Sequence, residues 1–163
     1  MTKLENGLFI FRRDLRIHDN VGLLEAYKLV KQLYTCFIFT PEQVSNRNDF
    51  KSTNSIQFMI ESLEDLKMNI EEKGGKLLIF YGKNGRIVED AISKLKLDAV
   101  FFNKDYSPYA KERDHEIEQL CEKKDIMCES YQDYYLFEPG TILTGSNQMF
   151  KKYTPFYLSL IHI

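Results

Sequence analysis

Short apolar runs alternate with amphipathic stretches along most of the chain. Five apolar runs have strand length and are rich in Val, Ile, Phe and Tyr, which favour strands. They are residues 7–12, 33–39, 76–81, 99–103 and 126–130. Between them, apolar positions recur at intervals of three or four residues, which predicts helices at about 20–31, 54–73, 86–96 and 107–124. This alternation predicts an α/β fold: a doubly wound, mostly parallel, five-stranded (Rossmann-like) sheet with helices on both faces.

A sheet of this kind directs attention to the loops that follow its strands. In open parallel sheets, ligands bind beyond the carboxyl ends of the strands, near the point where the strand order reverses. The loops expected at that edge are Arg12–Asn20, Thr40–Thr53, Tyr81–Gly85 and Asn103–Ser107. Any binding chemistry of the domain is therefore expected in these four loops.

Composition narrows the classes of function. The 163 residues carry 22 Lys and Arg against 24 Asp and Glu, a formal net charge of −2, which argues against DNA binding by this chain itself. No apolar run reaches the roughly 18 residues of a membrane span, and residues 1–7 resemble no targeting signal. Cys36, Cys121 and Cys128 have no zinc-ligand spacing, so we expect buried thiols, no metal and a cytoplasmic protein.

Charged residues are concentrated in the loop after the first strand. Three arginines and two aspartates fall within Arg12–Asn20, and they suit either a surface ion-pair cluster or an anion or ring-stacking site. Asp105, after the fourth strand, can bind a ligand or form an ion pair with Lys104 or Arg113. The chain contains neither of the glycine-rich phosphate motifs, and no nucleophile with a neighbouring base is evident.

Five segments resemble sequence motifs of the N-terminal domain of the photolyase/cryptochrome family, and they occur in the same order along the chain. Phe11–Asn20 is similar to the family's FRRDLRxxDN signature, and Phe37–Gln43 to F-x-x-D-P-x-Q, with Thr40 in place of Asp. The other three segments also follow family patterns. They are Phe58–Leu63 (F-L-x-x-S-L), Asn103–Asp114 (N-x-D-x-x-P-Y-A-x-x-R-D) and Thr154–Tyr157 (T-P-[FY]-[FWY]).

The resemblance implies a function and a domain organisation. Residues 1–149 are expected to be the light-harvesting α/β domain of a deoxyribodipyrimidine photolyase, which passes excitation energy to FAD. Residues 150–157 are expected to begin a connector to an absent helical FAD domain. Residues 158–163 are expected to be a non-native tail, since they resemble a translated sequencing adapter. A cryptochrome photoreceptor domain and a free-standing α/β nucleotide-binding module are the alternatives.

The resemblance also implies the partners. The intact parent is expected to be a carbon–carbon lyase that acts on damaged DNA in light. This chain alone is expected to carry no catalytic residues, to be inactive and to bind little or no DNA. Its partner is expected to be its own helical domain, and it is expected to be monomeric.

Site residues are carried over from the family position by position. Arg13, Phe37, Phe39 and Asp105 are expected to hold an antenna chromophore. A deazaflavin or flavin is preferred over methenyltetrahydrofolate, because folate-binding members place Asn-Glu where this chain has Tyr109-Ala110. Deazaflavin-binding members often also carry a basic residue near position 55, where this chain has Ser55.

We call Arg12–Asn20 the signature loop, and five of its remaining charged and polar residues are expected to have a structural role. They are Arg12, Asp14, Arg16, Asp19 and Asn20.

Overall fold

The computed structural model describes residues 3–46, 48–49 and 51–161. The chain divides into two compact units, Met1–Asp133 and Tyr134–Ile163. The strands of the first unit are β1 (Leu4–Phe11), β2 (Val30–Phe39), β3 (Leu77–Tyr81), β4 (Ala99–Asn103) and β5 (Met127–Tyr131). Its helices are α1 (Val21–Leu29), α2 (Pro41–Val44), α3 (Thr53–Glu72), α4 (Asn84–Leu95) and α5 (Pro108–Lys123).

The five strands form one sheet in the order β3-β2-β1-β4-β5, and every pair is parallel. The predicted fold class is therefore confirmed. From β1 the chain proceeds outward through β2 to β3, and then crosses to β4 and β5 on the other side. The strand order thus reverses between β1 and β4, which is where a ligand crevice is expected in this architecture.

Alternate residues of the central strands pack into two separate hydrophobic cores, one on each face of the sheet. Leu8 and Ile10 of β1 face a core that includes residues of α4 and α5. Phe9 and Phe11 face a second core that includes residues of α1 and α3. Because side chains alternate across a strand, a strand covered on both faces is apolar at every position. This explains the unbroken run Leu8–Phe11, and it places α3 and α5 on opposite faces of the sheet.

Two element boundaries differ from the sequence-based expectation. The helix predicted to reach residue 31 ends at Leu29, and β2 begins at Val30 without a connecting loop. The pairing of Val30 with Leu4 of β1 supplies the reason, since sheet hydrogen bonds hold Val30 in an extended conformation. The segment after β2, predicted as a loop, opens with the short helix α2, in which Pro41 occupies the first turn.

The second unit contains one antiparallel bridge, Leu143 with Met149, and helix α6 (Tyr153–Leu160). Helix α6 spans the predicted boundary between residues 157 and 158, and residues 162–163 of the predicted tail lie outside the described residues. Along the chain, the boundary between the two compact units falls after Asp133, earlier than the predicted end of the α/β domain at residue 149. The predicted domain and tail boundaries stay predictions.

None of the helices described here has both the length and the apolar character of a membrane span. Among the residues that the structure describes, no group of three or more His, Cys, Asp or Glu side chains is placed to hold a metal ion.

Candidate functional site

At the point where the strand order reverses, three buried polar side chains join the ends of β1 and β4. We call Asp14, Asn20 and Asn103 the closed cluster. The Asn103 Nδ2 donates to Asp14 Oδ2 at 2.6 Å and to Asn20 Oδ1 at 2.8 Å, and Asn20 Nδ2 donates to Asp14 Oδ2 at 3.2 Å. All three residues are at least 98% buried. Each buried polar group therefore has a partner, which offsets the cost of removing it from water.

The closed cluster also determines where α1 begins. Asn20 is the N-cap residue, and its Oδ1 accepts from Leu23 N at 3.1 Å. Asn103 Oδ1 accepts from Gly22 N at 3.0 Å. A Cβ at Gly22 would lie 2.3 Å from Asn103 Oδ1, so this close approach requires glycine. The signature loop, β4 and α1 are thus held in one arrangement.

Arg12 extends this buried polar region toward α5. Its Nη1 donates to Asp114 Oδ2 at 2.8 Å, its Nη2 lies 2.8 Å from Asp114 Oδ1, and its guanidinium lies 4.0 Å from the Phe102 ring centroid. Arg113 Nε donates to the same carboxylate at 2.9 Å. Burial lowers the pKa of Arg12 from its ordinary value, the nearby Arg113 lowers it further, and the Asp114 carboxylate opposes both effects.

The rest of the signature loop is held in place by contacts between Arg16 and Asp133. Arg16 Nη2 donates to the Asp19 carbonyl and, at 2.8 Å, to Asp133 Oδ2. Asp133 Oδ1 in turn accepts from Val21 N at 3.0 Å. Asp19 has a positive φ of 52°, a conformation that aspartate tolerates better than most residues. No feature of the sequence indicated that Asp133 would hold this loop.

Beside the closed cluster lies an open cleft of about 610 Å³, which we call the edge cleft. It lies across the carboxyl ends of β1 and β2, between the first turns of α3 and α5. Its apolar lining consists of Ile10, Phe11, Phe37, Ile38, Phe58 and Met59. Its polar lining consists of Arg12, Arg13, Thr40, Gln43, Ser55, Asn84, Asp105, Ser107, Tyr109 and Arg113. The volume lies within the range of about 300–1,000 Å³ that is common for small-molecule sites.

Three of the four predicted antenna residues line this cleft. They are Arg13, Phe37 and Asp105. The Arg13 side chain is 73% exposed, and its Nε lies 3.8 Å from Asp105 Oδ2. Asp105 also accepts from Ser107 N at 3.2 Å. Phe39 is not among the lining residues. Its ring packs edge-on against the ring of Phe37, with the centroids 4.9 Å apart, so Phe39 contacts a residue that lines the cleft.

Several lining residues were not predicted as site residues. Phe58, Met59 and Ser55 come from the beginning of α3, whereas Tyr109 and Arg113 come from the beginning of α5. The sequence offered one usable signal, since helices that follow parallel strands begin at the same edge of the sheet where those strands end. Which residues of each first turn face the cleft depends on the rotation of the helices, which tertiary packing decides.

Arg113 has an unusual environment in this lining. Its side chain is nine-tenths buried, and its guanidinium lies 5.8 Å from the ring centroid of Tyr109, four residues earlier on α5. Among the described residues, its Nη2 has no hydrogen-bond partner. Asp114 already serves both Arg12 and Arg113, so the pair of cations is only half neutralised by it. A bound group that carries acceptor oxygens suits such a wall.

Comparison with known proteins assigns this arrangement to a family. The family model described as DNA photolyase matches residues 8–161. The chain belongs to the DNA photolyase family. The archaeal photolyase from Sulfolobus tokodaii, whose structure contains two FAD molecules and implies a novel light-harvesting cofactor, is 34% identical with a TM-score of 0.87. That match covers 97% of this chain and 35% of the other.

The chain is also similar to a class III photolyase and to a cryptochrome. The class III photolyase from Agrobacterium tumefaciens is 26% identical with a TM-score of 0.88, over 100% of this chain and 33% of that one. Cryptochrome-1 from Anopheles gambiae is 33% identical over 85% of this chain and 26% of its own length. The chain thus spans about a quarter to a third of the length of these three relatives.

Proposed function

We propose that this chain is the light-harvesting domain of a light-dependent DNA repair enzyme, with a flavin or deazaflavin antenna in the edge cleft. The observation that carries the proposal is the position of the cleft at the carboxyl edge of the sheet, with aromatic and aliphatic walls and a polar rim. A planar tricyclic ring packs one face against the wall that contains Phe37 and Met59, and its polar edge meets Arg13, Asp105 and Arg113. Such a combination of apolar walls with a few polar groups is typical of cofactor sites.

The choice of ring rests on two features of α5. Folate-binding members of the family place Asn-Glu at the position of Tyr109-Ala110, and here Ala110 is fully buried. Its N–H is engaged by the N-cap hydroxyl of Ser107 at 3.3 Å. A carboxylate at that position is thus missing from this chain, whereas the Nη2 of Arg113 favours the carbonyl oxygens of a flavin or deazaflavin.

In this proposal, the residues of this chain make and break no covalent bonds. When bound, the chromophore supplies absorption of light and transfer of excitation energy to FAD in a helical domain of the intact enzyme. The residues of the edge cleft hold the ring in one orientation and exclude water from its faces. Repair of damaged DNA belongs to the intact enzyme, and the chain alone is proposed to be inactive in repair and to be cytoplasmic, as its free thiols Cys36, Cys121 and Cys128 suggest.

A cryptochrome photoreceptor is the second candidate, because the cryptochrome from Anopheles gambiae is as similar to this chain as the photolyases are. The two candidates share the antenna domain and differ in what the helical domain does. Fusion of residues 1–157 to a photolyase helical domain should give blue-light repair of pyrimidine dimers. An action spectrum that follows the absorption of the antenna would support the repair enzyme, and repair without that contribution would count against an antenna role.

Direct binding tests the choice of chromophore. The purified chain is titrated with FMN, an 8-hydroxy-5-deazaflavin and methenyltetrahydrofolate, and fluorescence reports binding. We expect the tricyclic rings to bind more tightly than the folate, and an equal or reversed preference would refute the proposal. A Ser55→Trp substitution fills the edge cleft and should weaken binding by at least about tenfold. The matched control Ser93→Trp, on the exposed face of α4, should bind as the parent does.

A further inference from the structure

Two exposed aromatic residues face the edge cleft from opposite faces of the sheet. Phe58 lies on the second turn of α3, and Tyr109 is the second residue of α5. Phe58 is 72% exposed and Tyr109 is 44% exposed, although both line the cleft. An exposed aromatic ring that borders a cavity offers apolar surface that a bound ligand can remove from water.

The arrangement of the two helices places these rings on different walls. Helix α3 packs through Leu63, Leu66 and Ile70 on the core that contains Phe9 and Phe11. Helix α5 packs through Ile117 and Cys121 on the core of the other face. The ends of β1 and β2 lie between the two helices, so Phe58 and Tyr109 flank the same space from two sides.

The neighbours of each ring leave surface for a ligand. Arg113 lies 5.8 Å from the Tyr109 ring centroid, so its guanidinium accompanies one face of the ring, while 44% of the residue stays exposed. Phe58 is followed along the wall by Met59 and Phe37, which also line the cleft. The apolar wall on the α3 side is thus continuous from the interior to the rim.

We propose that Phe58 and Tyr109 are binding residues that enclose the planar ring of the chromophore, one on each side. This inference rests on the proposed function and names the side chains that would give the ring its affinity. Aromatic side chains bind flat rings through offset stacking and burial of area. Neither residue was assigned a binding role by the sequence, because each one has the periodic position of an ordinary helical residue.

Affinity measurements on the full-length chain test the enclosure. We expect Phe58→Ala and Tyr109→Ala each to weaken FMN binding by roughly five- to a hundredfold, the range for loss of one stacked aromatic contact. Phe58→Tyr keeps a stacking face and should stay close to the parent, whereas Phe58→Leu keeps an apolar side chain without that face and should be weaker. The matched controls are Met68→Ala, exposed on the same helix, and Tyr27→Ala, exposed on α1, which should leave affinity unchanged.

The emission lifetime of bound FMN gives a second measurement, which a merely structural role would not change. An excited oxidised flavin takes one electron from a phenol in contact with it, and the electron then returns to the phenol, so emission is shortened without net reaction. The chain contains no Trp, and Tyr109 is the tyrosine that lines the edge cleft. We expect Tyr109→Phe to lengthen the lifetime with little change in affinity, and Tyr27→Phe to change neither.

The outcomes separate the two proposals. If the parent chain binds FMN but Phe58→Ala and Tyr109→Ala bind it equally well, the enclosure is wrong and the antenna site stands. An unchanged lifetime in Tyr109→Phe would remove Tyr109 from contact with the ring and overturn the enclosure in the same way. If the parent chain binds none of the chromophores, both the proposed function and this inference are overturned.

Discussion

Two polar regions lie side by side at the same edge of the sheet, and they have opposite properties. In the closed cluster, Asp14, Asn20 and Asn103 are buried and mutually hydrogen-bonded. In the edge cleft, the Arg13 side chain is 73% exposed, and its Nε lies 3.8 Å from Asp105 Oδ2. The first region satisfies its polar groups internally, whereas the second presents them to a cavity.

The consecutive residues Arg12 and Arg13 show the contrast within one dipeptide. The Arg12 side chain is 6% exposed, binds Asp114 through two nitrogens and stacks on Phe102. Both arginines border the edge cleft, but the Arg13 side chain is 73% exposed. An identical pair of letters in the sequence thus provides one arginine that is buried in the framework and one that is mostly exposed.

The largest effect is expected from Asp14→Asn. The two carboxylate oxygens accept from Arg12 N, Asn20 Nδ2 and Asn103 Nδ2, so an amide placed either way turns a donor against a donor. We expect a loss of about 3 kcal/mol in the free energy of unfolding, measured in urea. Asp105→Asn in the edge cleft should cost less than about 1 kcal/mol. Equal losses for the two variants would abolish the distinction between the regions.

Gly22→Ala tests the tight packing around the closed cluster. The new Cβ would meet Asn103 Oδ1 at 2.3 Å and Phe9 Cε2 at 3.0 Å, and we expect a loss of about 2 kcal/mol. The control Gly145→Ala, where a Cβ meets nothing within 4 Å, should change stability by less than about 0.5 kcal/mol. A neutral Gly22→Ala would mean that α1 can move away from Asn103.

Lysine substitutions sharpen the comparison of the two neighbouring arginines. Arg12→Lys loses one of two contacts with Asp114 and the planar stacking on Phe102, and we expect it to cost about 1.5 kcal/mol in urea unfolding. Arg13→Lys should leave stability within about 0.5 kcal/mol of the parent while it weakens FMN binding. The reverse pattern would show that Arg13, and not Arg12, belongs to the framework.

The smallest effect concerns Cys36 of β2, a thiol in the core that includes residues of α4 and α5. Complete burial raises the pKa of the Cys36 thiol from 9.0 to about 12, with a minor opposing contribution from Arg12. A raised pKa means that the stability contributed by the neutral thiol is present below pH 9 and is lost as pH rises toward 12. Between about pH 8 and pH 10 we expect the parent to lose about 1 kcal/mol more than Cys36→Ala does. Parallel pH profiles would refute this account of the thiol.

Much of the framework could be predicted from the residues themselves. The strand Ala99–Asn103 has its predicted bounds, and Ser107 with Pro108 begins α5 as the cap signals indicated. The strand Val30–Gln32 could not be predicted, because its extended conformation depends on pairing with β1 and not on its own residues. The approach of Arg13 Nε to within 3.8 Å of Asp105 Oδ2 was not expected from the sequence, because the two residues lie on loops that follow different strands.

The sequence by itself determined the order of the elements and, through period and capping, the face that each one buries. It also placed the signature loop and Asp105 at one edge of the sheet, because parallel strands end there. Only the tertiary structure decided that Arg12 is buried while Arg13 is exposed, that Asp133 holds Arg16, and that Phe58 and Tyr109 line one cleft. Those outcomes depend on the rotation and spacing of helices on opposite faces of the sheet, which local residue patterns do not encode.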